Sequence, residues 1–162
     1  MTLVGNQYRI AVFLSGKGSN FEALLKATRQ REVPGRIVLV VSNNPDAGGV
    51  QIARREGIAV EILRRDDFPD GATFAWKMLS QLRRWQVDVI CLAGYMKKIP
   101  SIVVRAYRNR ILNIHPALLP KFGGKGMYGL KVHQAVLDAK EKESGVTIHL
   151  VDEIYDHGPI LA

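Results

Sequence analysis

Short apolar runs rich in β-branched residues alternate along this chain with stretches whose apolar residues recur at helical spacing, and that alternation most restricts what it can become. Arg9 to Leu14 reads as a buried strand followed by a Gly-rich turn, after which Phe21, Leu24, Leu25 and Thr28 fall on one helical face. Arg36 to Ser42 is the next strand, with the turn Asn43-Asn44-Pro45-Asp46 behind it. A helix from about Gly49 to Glu56 stops at Gly57, and Ile58 to Leu63 is again extended. Phe74 to Trp85 is helical, Val87 to Leu92 a strand, Ile102 to Tyr107 helical and Arg110 to Ile114 extended. Val132 to Lys140 predicts a helix and Val146 to Val151 a last strand. Strands that are near-continuous apolar runs are covered on both faces, so the pattern predicts an α/β fold with a Rossmann-like, mostly parallel sheet and helices on both faces. Ligands of such sheets bind beyond the carboxyl ends of the strands, which directs attention to the turns after Leu14, Leu92, Ile114 and Val151.

Composition narrows the function classes. With 162 residues, no internal repeat and no low-complexity linker, residues 1–162 read as a single domain able to bury a core. No apolar run approaches the roughly 20 residues of a membrane span. Met1 to Tyr8 lacks a charged segment followed by an apolar one, so no secretory leader is read there. One cysteine, Cys91, excludes an internal disulfide and a multi-cysteine zinc cluster. It lies in the apolar run Val87 to Ala93 and reads as a small buried hydrophobe, in a chain expected in a reducing cytoplasm. The net charge of +8 is spread over Arg29, Arg31, Arg54, Arg55, Arg64, Arg65, Arg83 and Arg84, without a basic tract interleaved with aromatics. That distribution favours anionic metabolites over nucleic acid, and no membrane partner is expected.

The first turn, Ser15-Gly16-Lys17-Gly18-Ser19-Asn20, can offer backbone N–H groups and a helix N-terminus to a phosphate. It is not a Walker A loop. As a dinucleotide fingerprint it has Phe21 where the third glycine belongs, and the second strand ends in Ser42-Asn43 rather than in a ribose-binding acid, which disfavours NAD. A purely structural role stands beside the phosphate reading, with Ser19 capping the helix and Glu22 completing a capping box.

In Asn113-Ile114-His115-Pro116 the side chains of Asn113 and His115 project to the same side of an extended segment, and Pro116 keeps His115 extended. A carboxamide donor beside an imidazole suits an oxyanion forming on a carbonyl carbon, although an Asn-x-His pair alone is a common pattern. After Val151, Asp152-Glu153-Ile154-Tyr155-Asp156-His157-Gly158-Pro159 carries three carboxylates. Such a loop is ordinary solvated surface unless one carboxylate reaches His115, holding its ring and raising its pKa; spacing leaves that contact open. His149 reads as core or as support behind the site, and His133 as structural.

Together these segments resemble the phosphoribosylglycinamide formyltransferases of purine synthesis. The resemblance runs from Arg9 to Ala162. It rests on Ser15-Gly16-Lys17-Gly18-Ser19-Asn20, Leu92-Ala93-Gly94-Tyr95-Met96, Leu112-Asn113-Ile114-His115-Pro116-Ala117-Leu118-Leu119-Pro120, and Asp152-Glu153 through Asp156-x-Gly158-Pro159. It implies transfer of a formyl group from 10-formyltetrahydrofolate, a co-substrate, to the amine of glycinamide ribonucleotide, with no metal. It implies a catalytic set of Asn113, His115 and Asp156, and a substrate phosphate held by Gly18, Ser19 and Asn20. It also implies a folate site formed by Met96, Lys97, Lys98 and Ile99 together with Val151, Asp152 and Glu153. Leu119-Pro120-Lys121 matches the family's stretch beside the active site. A monomer or a homodimer is expected.

Three departures accompany the resemblance. His157 stands where the family often has a second glycine, which predicts a stiffer folate loop, and Gly71 falls near a position where some members carry an arginine at the folate tail. The chain stops at Gly158-Pro159-Ile160-Leu161-Ala162, short of the strand and helix into which the family continues, and so reads as C-terminally truncated. Rival readings are a 10-formyltetrahydrofolate deformylase, a methionyl-tRNA formyltransferase and a non-catalytic phosphate- or nucleic-acid-binding module.

Overall fold

The computed structural model describes residues 7–162, so the reading of Met1 to Tyr8 lies, for residues 1–6, outside the described residues. The chain divides after Tyr95 into two compact units.

In the first unit, β1 (Tyr8–Leu14), β2 (Gly35–Ser42), β3 (Ala59–Ile62) and β4 (Val89–Leu92) alternate with α1 (Ser19–Arg29), α2 (Gly48–Arg55) and α3 (Gly71–Arg84). All pairings are parallel, in the order β3-β2-β1-β4. Ile10, Val12 and Leu14 of β1 form a core with Phe21 and Leu25 of α1 and Val50 and Ala53 of α2. Ala11 and Phe13, which point the other way, are equally inaccessible. A strand buried at both parities has cover on both faces, as its continuous apolar run implied. Because β2 and β4 lie on opposite sides of β1, the carboxyl ends of β1 and β4 flank a topological switch point. The Ser15 N–H donates to the Gly94 carbonyl across it, at 3.1 Å.

α3 starts at Gly71 rather than near Phe74, because the Asp70 carboxylate accepts the Thr73 N–H at 2.6 Å and caps the helix. Cys91 behaves as expected of a small hydrophobe: it packs against the first core, and burial pushes its thiol up to about 11.

The second unit holds α4 (Ser101–Ala106), β5 (Ile111–His115), α5 (Leu130–Asp138) and β6 (Thr147–Leu150). Ala117, Val132 and Val136 form its core with Phe122 and Met127 packed on it. β6 runs antiparallel to β5, the exception within a mostly parallel architecture. Strand–helix alternation carries no information on that direction. The register decides the chemistry of this unit, since Asn113 lies opposite His149 and His115 opposite Thr147. With side chains alternating along each strand, all four project from one face.

Candidate active site

The Gly-rich turn belongs to the first unit. Gly18 takes a left-handed conformation, φ 87°, and is itself the N-cap of α1. Ser19 is therefore the first helical residue, and no side chain caps the helix. The capping-box reading of Ser19 and Glu22 is thus corrected: the turn needs a positive φ just before the helix, a glycine meets that need at least cost, and the cap position is filled by it. The first-turn N–H groups are left unclaimed by any capping side chain, and Ser19 and Asn20 are exposed. This geometry suits an anion.

The turn is clamped from below by α2. The Gly49 N–H donates to the Gly16 carbonyl at 3.1 Å, and a Cβ on Gly18 would lie 2.5 Å from the Gly49 Cα. Asn44 Nδ2 donates to the Ser15 carbonyl at 3.3 Å, and the Ser15 hydroxyl contacts Asn43. Gly48-Gly49 and Asn43-Asn44 thus shape the turn, although the sequence marked only the turn itself. The signal available was a second Gly-Gly pair opening a helix, which backbone contact explains and periodicity does not.

In the second unit, the structure brings Asn113, His115 and Asp156 together. His115 is 3% exposed, and its Nδ1 stands 3.6 Å from Asp156 Oδ1. This settles the contact that spacing left open. The His115 Nε2–H donates to the Phe122 carbonyl at 2.9 Å, since a carbonyl can only accept. A proton on Nδ1, facing the carboxylate, therefore requires the imidazolium. Asp156 has φ 52° and receives the Gly124 N–H on its other oxygen at 3.0 Å. Burial alone would raise its carboxyl, but His149, the Gly124 N–H and His115 together hold it below the ordinary value. Between Phe122 and Gly124, Gly123 comes so near that an added Cβ would lie 3.2 Å from the Asp156 Cβ.

Two further residues belong to this cluster. Asn113 Nδ2 donates to His149 Nε2 at 2.9 Å, and the same nitrogen of His149 is 3.5 Å from Asp156 Oδ1. His149 is 2% exposed, buried as a core residue is, and it also touches Asn113 and Asp156. Thr147 accepts the Leu119 N–H at 3.0 Å and donates to the Ala117 carbonyl at 2.7 Å, fixing the segment after His115. His133 is exposed on α5 and distant from this role.

The residues expected around the folate differ in kind. Met96 is 47% exposed and Lys97 and Lys98 are exposed, whereas Ile99 is buried and offers its side chain to packing. The Lys98 ammonium lies 5.6 Å from the Tyr155 ring centroid, and Arg105 pairs with Glu153 at 3.5 Å. Val151 donates its N–H to the Ile111 carbonyl at 2.9 Å. Asp152 accepts the Ile154 N–H at 2.8 Å and contacts His157 Nδ1 at 2.7 Å. Burial would raise the Asp152 carboxyl, but His157 and the Ile154 N–H hold it low. Side-chain contacts of the loop thus run through Asp152, Glu153 and Tyr155, and His157 takes part through Asp152. Gly71 has the Arg65 guanidinium against it, 3.7 Å from where a Cβ would be.

The family model described as formyl transferase matches residues 8–162. The chain is 48% identical over 155 residues to "Phosphoribosylglycinamide formyltransferase, chloroplastic" of Arabidopsis thaliana, which covers 95% of the chain and 53% of that protein. It thus spans about half the length of the plant relatives it matches. To the phosphoribosylglycinamide formyltransferase of Escherichia coli it is 34% identical, over 94% of the chain and 69% of the relative. The crystal structure of glycinamide ribonucleotide transformylase 1 from Symbiobacterium toebii superposes with a TM-score of 0.91 at 36% identity, covering all of this chain and 75% of that one. The likeness extends over both units and the motifs in each, and the chain belongs to the formyl transferase family, on its phosphoribosylglycinamide formyltransferase branch.

Proposed function

We propose that this chain transfers the formyl group of 10-formyltetrahydrofolate to the amine of glycinamide ribonucleotide, in de novo purine synthesis, as one functional domain acting in an aqueous compartment such as the cytoplasm. Among the described residues, no helix is long and apolar enough to cross a membrane. The observation that carries the proposal is the buried contact of His115 with Asp156, with Asn113 beside it on β5, in a chain of this family.

The folate supplies an activated formyl group. The chain's residues then divide the work. Gly18, Ser19 and Asn20 bind the ribonucleotide phosphate through uncapped N–H groups, a hydroxyl and an amide. Met96, the backbone at Ile99, Lys97, Lys98 and the loop Val151, Asp152 and Glu153 hold the folate. The substrate amine attacks the formyl carbon directly; collapse of the tetrahedral adduct breaks the bond from that carbon to N10 of the folate, which leaves as tetrahydrofolate with the proton that the amine gives up. Asn113 Nδ2–H and the His115 imidazolium stabilise the negative charge that develops on the formyl oxygen, in a site where burial strengthens both interactions. Asp156 keeps the imidazolium in place and takes part in moving the amine proton. Holding two substrates in register supplies much of the remaining acceleration.

The test is a spectroscopic transfer assay with 10-formyltetrahydrofolate, run with and without glycinamide ribonucleotide. Turnover that requires the ribonucleotide is expected. Formate release without it would replace the transferase by a hydrolase using the same cluster.

A further inference from the structure

His149 touches Asn113, Asp156 and the Leu150 carbonyl at once, and the proposed reaction gives it no task. Its surroundings determine its protonation pattern. Nδ1 is 3.0 Å from the Leu150 carbonyl, which can only accept, so Nδ1 carries a proton. In the neutral ring Nε2 is then a bare acceptor, and it receives the Asn113 amide at 2.9 Å. One amide hydrogen is engaged there and the second remains for substrate. The groups facing the ring are Asn113 and His115 from β5, Asp152 and Asp156 from the loop after β6, and the Leu150 carbonyl on its own strand.

We propose that His149 is a positioning residue: its neutral Nδ1–H form aims the Asn113 amide nitrogen and leaves Asp156 to His115, and its protonation reverses both. The reversal follows from counting hydrogens. A second proton on His149 places an Nε2–H opposite the Asn113 NH2 at 2.9 Å, donor against donor. The carboxamide must then turn over so that its oxygen faces the ring, which moves the amine end away from the place it held. The new Nε2–H also reaches toward Asp156 Oδ1 at 3.5 Å, the same oxygen that stands 3.6 Å from His115 Nδ1. One carboxylate oxygen then serves two cations, and His115 loses part of its support. Burial pushes the His149 pKa down, but Asp156 and the Leu150 carbonyl outweigh it and bring it above the ordinary imidazole value. The switch therefore operates above the pH at which an ordinary imidazole takes its proton.

The proposal rests on the formyl-transfer reading, and two measurements keep the fates of the two apart. Long-range proton–nitrogen correlation spectra of the histidine-15N-labelled full chain report the tautomer without substrate or mutation. At the alkaline end of the titration, His149 is expected with a protonated Nδ1 and a bare Nε2; an Nε2–H tautomer would overturn the proposal. The second measurement is the pH profile of kcat for the wild type and for His149→Gln, whose amide accepts from Asn113 without titrating. The acid limb is expected to move down by about one pH unit or more in the variant, with KM for both substrates within about threefold. An acid limb unchanged by the substitution would overturn the assignment. Should the variant fail to fold, the wild-type spectra decide alone. Should the wild type show no formyl transfer, the functional reading falls while the spectra still settle the tautomer.

Discussion

The two units build their sites by opposite means. In the first, the Gly-rich turn is a contiguous stretch of chain whose proposed phosphate-binding groups include backbone N–H groups, and a glycine with φ 87° holds its shape. In the second, Asn113 and His149 are 36 residues apart and Asp156 lies further on, and the proposed reacting groups are side chains. A backbone site tolerates changes of side chain and fails when a Cβ intrudes. A side-chain site tolerates small shifts of backbone and fails when one functional group is exchanged. The two should therefore lose different kinetic parameters when mutated.

The largest effect is expected in the second unit. Asp156→Asn keeps the shape and removes the charge facing His115, and kcat should fall by about a thousandfold while KM for the ribonucleotide changes only a few-fold. Steady-state kinetics on both substrates measures this, and near-normal turnover would remove Asp156 from its role. Next comes Gly18→Ala. A non-glycine residue at positive φ costs about 1–2 kcal/mol, and the new methyl also meets the Gly49 backbone. KM for the ribonucleotide should rise about tenfold and Tm should fall by about 5 °C or more, with kcat little changed. If kcat fell instead and KM held, the proposed division of labour between the units would collapse.

Acid titration sharpens the comparison further. Asp156 is held below its unfolded value, so its contribution to stability is present above that value, near 3.9, and is lost as pH falls through the lower folded one. His149 works in the other sense: its raised value contributes stability below the unfolded pKa, near 6.5, and loses it as pH rises through the folded one. Urea unfolding followed from pH 3 to pH 8 should show Asp156→Asn flattening the acid side of the wild-type curve, and parallel curves would count against the pairing. The smallest effect is expected for His157→Gly. Its contact with Asp152 is 64% exposed on the histidine side, so Tm should move by no more than about 2 °C. KM for the folate should change less than about threefold, and a larger change would mean that the loop's stiffness controls binding.

What was legible in the chain follows the same division. The strands were visible because β1 from Ile10 and β2 from Ile37 are buried at both parities and nearly continuously apolar. The turn was visible because it is contiguous. α3 was placed three residues late because its first turn carries little apolar periodicity, while the Asp70 cap that starts it is a local polar signal. Ser19 was offered as a cap because its chemistry fits one, but the backbone needed a glycine there. Asn113 and His115 could be paired on one face from their spacing alone, whereas the third and fourth members of their cluster could not be located by spacing.

The amino-acid sequence by itself determined the strand–helix alternation, the mostly parallel architecture, the Gly-rich turn after β1 and the same-face placement of Asn113 and His115, because each depends on short-range periodicity or on the conformational freedom of single residues. Only the tertiary structure decided that Asp156 rather than Asp152 or Glu153 faces His115, that Gly48-Gly49 clamps the first turn, and that His149 stands between Asn113 and Asp156. The clamp depends on the close approach of the Gly18 and Gly49 backbones, and the contacts of Asp156 and His149 on the antiparallel register of β5 with β6 and the left-handed backbone at Asp156, where long-range pairing selects one neighbour among several that local chemistry permits.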